Sequence, residues 1–197
     1  SQCSKPDEYL IDGACTAQVG TSGCKLKGSA DGTCESCGAG YFLHKGGCYK
    51  KGQQPGQAIC KDTADIKGKC QACASGYFKN PANVETSDSC IACGDATGVT
   101  VSGGATYKGV LNCAVCTAPQ AGGSGEVATC TVCVDGTFVN NNGAECTSCN
   151  AACATCTGVE GTKCTSCKDT SLYFKKGESN DGTGTCVVEN ACTSTHF

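Results

Sequence analysis

The sequence predicts a small disulfide-rich fold: an elongated array of short β-hairpin modules with little helix. Three observations carry this. Cysteine supplies 23 of the 197 residues, above the roughly 8–10% that marks a disulfide scaffold. A C-x-x-C followed by an aromatic pair or a single aromatic recurs four times along the chain. No apolar residue type returns at a 3.6-residue period over helical length.

The unit is clearest at Cys34 to Cys48, CESCGAGYFLHKGGC. Tyr41-Phe42 reads as a short strand, and Gly46-Gly47 permits a tight turn before Cys48. A bridge from Cys37 to Cys48 clamps the strand into a hairpin, and closing such a loop contributes roughly 3 kcal/mol on chain-entropy grounds. The unit returns as Cys70-Gln-Ala-Cys73 with Gly76-Tyr77-Phe78, as Cys130-Thr-Val-Cys133 with Gly136-Thr137-Phe138, and as Cys164-Thr-Ser-Cys167 with Tyr173-Phe174. These copies hold most of the chain's 6 Tyr and 5 Phe. Each aromatic is expected to be a small packing plug beside a disulfide. Repeats of this kind form arrays rather than one core.

In chain order, residues 1–33 carry Cys3, Cys15 and Cys24 without a C-x-x-C and read as the end of a preceding cysteine-rich module; Asp12-Gly13 marks a turn. Residues 34–93 hold two hairpin modules. Residues 94–129 are cysteine-poor. Val99-Thr100-Val101 and Thr106-Tyr107 flank a Gly-Gly turn there, and Pro119 to Gly125 forms a flexible connector. Residues 130–197 hold further C-x-x-C modules; Asn140 to Gly143 should turn the first of them as an Asn-Gly type I′ hairpin. The dense run Cys146, Cys149, Cys153 and Cys156 leaves no room for a long helix.

Composition excludes several function classes. The net charge is -3, and every one of the 15 basic residues is lysine. Bidentate phosphate and base recognition favours arginine, so no nucleic-acid partner is expected. The densest basic spot, Lys45, Lys50 and Lys51, reads as a solvated turn. The cysteine content argues for an oxidising compartment. Methionine is absent and no apolar run reaches 18 residues, so the sequence reads as a trimmed piece without its leader or any anchor.

The sequence contains eight C-x-x-C pairs. Zinc uses that spacing because two thiolates on a tight turn reach one tetrahedral ion. Cys70, Cys73, Cys90 and Cys93 fit it formally and form the alternative metal set. Among 23 cysteines, however, such quartets arise by chance. Thiol–disulfide catalysis needs a βαβ scaffold that is not visible. The 2 histidines, His44 and His196, read as solvated surface residues, which leaves no nucleophile–base pair. No catalytic residue and no cofactor are expected. Disulfides remain. The two sulfurs of each C-x-x-C are expected to pair outward, to different neighbours. The expected bonds are Cys37–Cys48, Cys73–Cys90, Cys133–Cys146, Cys149–Cys156, Cys153–Cys164 and Cys167–Cys186, although the spacing permits other connectivities. The odd count leaves at least one cysteine without a partner in the chain.

Gly46-Gly47-Cys48-Tyr49, set among C-x-x-C pairs followed by Gly-Tyr-Phe, resembles the GGCY motif of the variant-specific surface proteins of Giardia. The resemblance runs along essentially the whole chain, and the modules also resemble furin-like and growth-factor-receptor cysteine-rich repeats. It implies a type I surface protein in a dense, protease-resistant coat, serving antigenic variation and immune evasion. Its partners would be host antibodies. The family's membrane span and Cys-Arg-Gly-Lys-Ala tail are not in this sequence. An adhesin or receptor-type module that contacts a host surface ligand through residues 94–112 is the second class, and a structural zinc protein the third.

Overall fold

The computed structural model describes residues 3–5, 7–28, 32–64, 66–120 and 126–188. Eighteen short strands carry these residues, with four single-turn 3₁₀ segments and no α-helix among the described residues. β1 (Tyr9–Ile11) and β2 (Ala14–Thr16) form a hairpin over Asp12-Gly13. β3 (Lys25–Leu26) pairs with β4 (Cys34–Ser36). β5 (Tyr41–His44) and β6 (Gly47–Lys50) form the next hairpin, and β1 adds to it in parallel through Ile11 and Cys48, which gives the sheet order β2-β1-β6-β5.

Four antiparallel pairs follow: β7 (Tyr77–Lys79) with β8 (Cys90–Ala92), β9 (Val99–Thr100) with β10 (Thr106–Tyr107), β11 (Cys113–Thr117) with β12 (Thr129–Cys133), and β13 (Thr137–Asn140) with β14 (Glu145–Ser148). The last sheet takes β15 (Cys153–Cys156), β16 (Cys164–Cys167), β17 (Tyr173–Lys176) and β18 (Gly184–Val187) in the order β15-β16-β18-β17.

Several local expectations need correction. His44 pairs with Gly47, so the first tight turn is Lys45-Gly46, with φ of 45° and 74°, and Gly47 already belongs to β6. Two consecutive positive φ values suit the twist of a hairpin. The third hairpin is not a two-residue turn. Asn140 pairs with Glu145, and the four residues between form a 3₁₀ turn with Asn141, Asn142 and Gly143 all at positive φ. The described part of residues 1–33 is tied to the unit that follows. β1 shares a sheet with β5 and β6, and a Cys24–Cys34 bond crosses position 33.

Among the described residues, three small apolar clusters replace a single core. One gathers Cys24, Cys34, Cys37, Tyr41, Leu43 and Cys48. A second places Phe42 against Ile59, Cys60, Cys70 and Cys90. The third contains Phe78, Ile91, Tyr107, Val110 and Ala128 with Cys93, Cys113 and Cys130. Cystine supplies much of the buried matter in each, as small domains with few large apolar residues require. The aromatic plugs behave unequally: Phe42 and Phe78 are buried, whereas Tyr173 and Phe174 are exposed.

Candidate functional site: the cystine ladder and the junction at the Gly-Gly hairpin

The structure brings together Cys37 and Cys48, Cys73 and Cys90, Cys133 and Cys146, Cys149 and Cys156, Cys153 and Cys164, and Cys167 and Cys186. Five further bonds join Cys3–Cys15, Cys24–Cys34, Cys60–Cys70, Cys93–Cys116 and Cys113–Cys130. No bond lies inside a C-x-x-C. Alternate side chains on a strand point to opposite faces, and the two sulfurs of each pair reach different hairpins. Every described cysteine is bonded. The remaining cysteine, Cys192, lies outside the described residues, as do His196 and residues 121–125 of the connector.

One arrangement occurs twice. In β11–β12 the two C-x-x-C pairs face each other, Cys113 opposite Cys133 and Cys116 opposite Cys130. A diagonal bond, Cys113–Cys130, ties the strands, and the free corners reach out to Cys93 and Cys146. In β15–β16 the facing pairs are Cys153 with Cys167 and Cys156 with Cys164, the diagonal is Cys153–Cys164, and the corners reach Cys149 and Cys186. Both ladders carry a register shift between the cysteines of the first strand. The bonds Cys93–Cys116 and Cys113–Cys130 therefore cross along the sequence, as Cys149–Cys156 and Cys153–Cys164 do. The repeated pattern of two C-x-x-C pairs with a spacer was the sequence signal for the first crossing, which spacing alone did not resolve.

The four sulfurs of the alternative metal set separate. Those of Cys70, Cys73 and Cys90 lie within 4.8 Å of one another because two cystines stack there. Cys93 instead bonds Cys116.

The Gly-Gly-Cys-Tyr stretch sits where the first and second units meet, and each residue has a physical task. Gly46 takes positive φ, and a Cβ there would meet Thr33 at 3.1 Å. A Cβ at Gly47 would press on the Leu10 side chain at 2.9 Å, so only glycine lets β6 lie this close to β1. The Gly46 carbonyl accepts from Cys34 N at 2.7 Å, and the Cys48 carbonyl accepts from Asp12 N at 2.9 Å. Tyr49 packs against Phe42, with ring centroids 6.0 Å apart, and lies edge-on to His44 at 5.8 Å.

His44 is not a solvated residue. It is 6% exposed, between Tyr49 and Tyr77, and its Nδ1 lies 3.1 Å from the Cys90 carbonyl. A carbonyl only accepts, so Nδ1 carries the proton and donates. Asp88 Oδ2 is 3.7 Å from the same nitrogen, and Asp88 Oδ1 accepts from Lys45 N at 2.9 Å. Burial holds the imidazole pKa below 6.5, against the opposing pull of the Asp88 carboxylate. Burial also pushes the Asp88 carboxyl up, opposed by the Lys45 N–H and by His44.

The His44 shift has a stability consequence. The unfolded imidazole binds its proton near pH 6.5, while the folded one resists it until lower pH. Stability carried by neutral His44 is present above about pH 6.5 and is lost as pH falls through the lower folded pKa. Asp88, raised by burial, acts with the opposite sign. Thermal midpoints measured between about pH 7.5 and 5 should fall toward acid, and His44→Gln should flatten that slope; an unchanged slope in the variant removes His44 as its origin.

Lys51 also departs from the solvated reading. It is buried, and its Nζ donates to the Ala64 carbonyl at 2.7 Å and the Ile66 carbonyl at 3.0 Å, with Asp62 Oδ2 3.8 Å away. It is a clamp between the two units, not part of a basic patch. A short run of lysines gave no sign of this, because the partners are backbone carbonyls from another loop.

Beside the junction opens a cleft of about 920 Å³. Lys27, Glu35, Lys45 and Asp88 line it, together with Val99 to Ser102 from the β9–β10 hairpin. Its lining mixes both charges with hydroxyls and aliphatics. Lys45 Nζ already lies 3.9 Å from Asp95 Oδ2.

Fold and site together define a cystine-stapled, extracellular type of repeat protein, in which short glycine-turned hairpins are held by local cystines. The family profile for the Giardia variant-specific surface protein matches residues 1–145. Variant-specific surface protein VSP4A1 of Giardia intestinalis is 41% identical over 95% of this chain and 26% of its own length. Major surface-labeled trophozoite antigen 417 of the same organism is 35% identical over 100% of this chain and 33% of its own length. The chain belongs to the variant-specific surface protein family of Giardia. It spans about a quarter to a third of the length of these curated relatives, and no solved structure matches it. The family is one of surface antigens, not of enzymes, and the relatives' names put it at the cell surface.

Proposed function

We propose that the chain is an ectodomain segment of a variant surface antigen, a protease-resistant and disulfide-crosslinked element of the cell coat that serves antigenic variation and immune evasion. In this reading it has no catalytic site and no cofactor, the parent protein is type I anchored, and host antibodies are its partners. The supporting observation is the closure of the ladder. Eleven bonds close loops of 7 to 23 residues in sequence separation around only three small clusters. A protease needs a locally opened segment, and short crosslinked loops suppress that opening. The spacers at 95–112, 117–126 and 177–185 are the places where sequence can change most freely, apart from Tyr107 and Val110, which are buried with Cys93, Cys113 and Cys130, so antibodies should discriminate variants there.

Digestion by trypsin and chymotrypsin, with and without prior reduction and alkylation, tests this reading. Reduction should accelerate cleavage by at least about a hundredfold, since losing roughly 3 kcal/mol per closed loop exceeds two factors of ten. Equal rates in the two states would remove protease resistance from the reading. Alkylation in denaturant, with and without chelator, separates disulfides from zinc. A mass gain of no more than one alkyl group supports the ladder, and release of metal with four or more reactive thiols restores the alternative at Cys70, Cys73, Cys90 and Cys93.

The cleft against Val99 to Ser102 favours a second reading, a binding module for a host surface ligand. Its charged walls suit a polar ligand. Lys27→Glu with Lys45→Glu should then abolish adhesion to host cells while leaving the thermal midpoint near that of the parent chain; retained adhesion removes this reading.

A further inference from the structure

A second cavity, of about 410 Å³, borders the junction and has only Lys45 in common with the lining of the cleft. That volume is within the usual range of small-molecule sites. Three aromatic rings line it: His44, Tyr49 and Tyr77. The tyrosines stand steeply to the imidazole, at 73° and 76°, each with its ring centroid 5.8 Å from it. Leu10 and Ile59 add aliphatic wall, and Asp12 of the first turn adds a carboxylate. These side chains come from β1 and its turn, from the β5–β6 hairpin, from the segment after it and from β7. The cavity therefore exists only once the first two units have folded together.

The carboxylate sits beside one of the rings. Burial first, and then the Asp12 charge, push the Tyr49 hydroxyl pKa up. A Cβ added at neighbouring Gly13 would lie 3.7 Å from that hydroxyl. Asp12 Oδ1 accepts from Lys50 N at 2.7 Å, and among the described residues Asp12 has no ion-pair partner. Lys45 also borders the cavity, with its ammonium 3.9 Å from Asp95 Oδ2. Burial holds His44 below its ordinary 6.5, so at neutral pH the imidazole adds no positive charge.

We propose that this cavity binds a methylated ammonium group of the kind that terminates choline. Its methyl groups would pack among Tyr49, Tyr77 and His44, and the Asp12 carboxylate would balance its charge. Aromatic rings attract a cation through their quadrupoles, and aromatic enclosures recur wherever quaternary ammonium groups are held. The walls select a methylated over a primary ammonium. A primary ammonium is strongly hydrated and brings three donors that need acceptors. A quaternary one has no N–H, and its charge spreads over methyl groups that can lie against Leu10 and Ile59 as well as the rings. One carboxylate then suffices.

Choline titrated into the 197-residue chain and followed by proton NMR tests the site. The ring resonances of Tyr49 and Tyr77 should shift together, while those of exposed Tyr173 stay in place. The uncharged analogue of choline, with carbon in place of nitrogen, has the same shape and should bind roughly tenfold more weakly. Both ligands meet the unaltered chain, so this comparison needs no variant to fold. Asp12→Asn keeps an acceptor for Lys50 N and should weaken choline several-fold. No shift at tens of millimolar choline overturns the proposal. Equal binding of the uncharged analogue overturns it too, because the cavity would then be merely apolar, and so does undiminished choline binding by Asp12→Asn. Flotation with phosphatidylcholine vesicles separates the two sources of the group. Vesicle binding that free choline displaces assigns a lipid headgroup, and choline binding without vesicle binding assigns a free molecule; either upholds the site.

Discussion

Phe42→Ala should destabilise the protein by about 3–5 kcal/mol, the range for deleting a fully buried phenylalanine where the surroundings collapse only in part. Phe42 has no exposed surface, and it joins the first hairpin to Ile59 and to the cystines of the second unit. Those cystines hold the walls of the resulting void apart, so relaxation is limited and the cost should sit high in the range. Chemical denaturation under oxidising conditions measures it. Units in an array feel mainly their neighbours. Amide exchange should therefore quicken around residues 40–50 and 59–91, and remain unchanged in β15–β18. A loss below about 1 kcal/mol, or acceleration spread evenly over the chain, would show that Phe42 is not the joint described here.

Removing the second unit's own staple should cost nearly as much. The Cys73–Cys90 bond spans 17 residues, and opening a loop of that size forfeits roughly 3 kcal/mol of unfolded-state restriction. The bond also lies inside the cluster beneath Phe42, and Cys90 supplies the carbonyl that receives His44 Nδ1. Cys73→Ala with Cys90→Ala should therefore destabilise the protein and also loosen the His44 contact, so that the loss of stability toward acid becomes shallower. Limited proteolysis should place the first cut between residues 79 and 90. A first cut elsewhere would mean that another element holds this loop.

The hairpins were legible because their signals are local. Glycine and asparagine mark the turns, aromatic and β-branched residues mark the strands, and cysteines bracket both. Val99–Thr100 pairing with Thr106–Tyr107 across Gly103-Gly104 is such a case. Burial at the junction was not legible. His44 and Lys51 are polar residues next to a turn, where solvent is the ordinary expectation. Their burial is set by Asp88, by the Cys90 carbonyl and by the carbonyls of Ala64 and Ile66, groups whose arrival depends on how the second unit folds back. The parallel contact of Ile11 with Cys48 was hidden for the same reason. Tyr173 and Phe174 are the opposite case: the local pattern predicted a packed plug, and both side chains are exposed, because burial needs a neighbour on that face.

The crossed cystines bear on how the chain can be made. Bonds that follow one another along a sequence can close in order as a polypeptide enters an oxidising compartment from its N-terminus. Cys93–Cys116 cannot, because Cys113 arrives before Cys116, and Cys149–Cys156 meets the same obstacle at Cys153. In each case the first available thiol is the wrong one. Biosynthesis must then either delay oxidation until the whole C-x-x-C has emerged or correct an early mispairing by thiol exchange, so these two ladders should be the steps of synthesis most dependent on a disulfide isomerase.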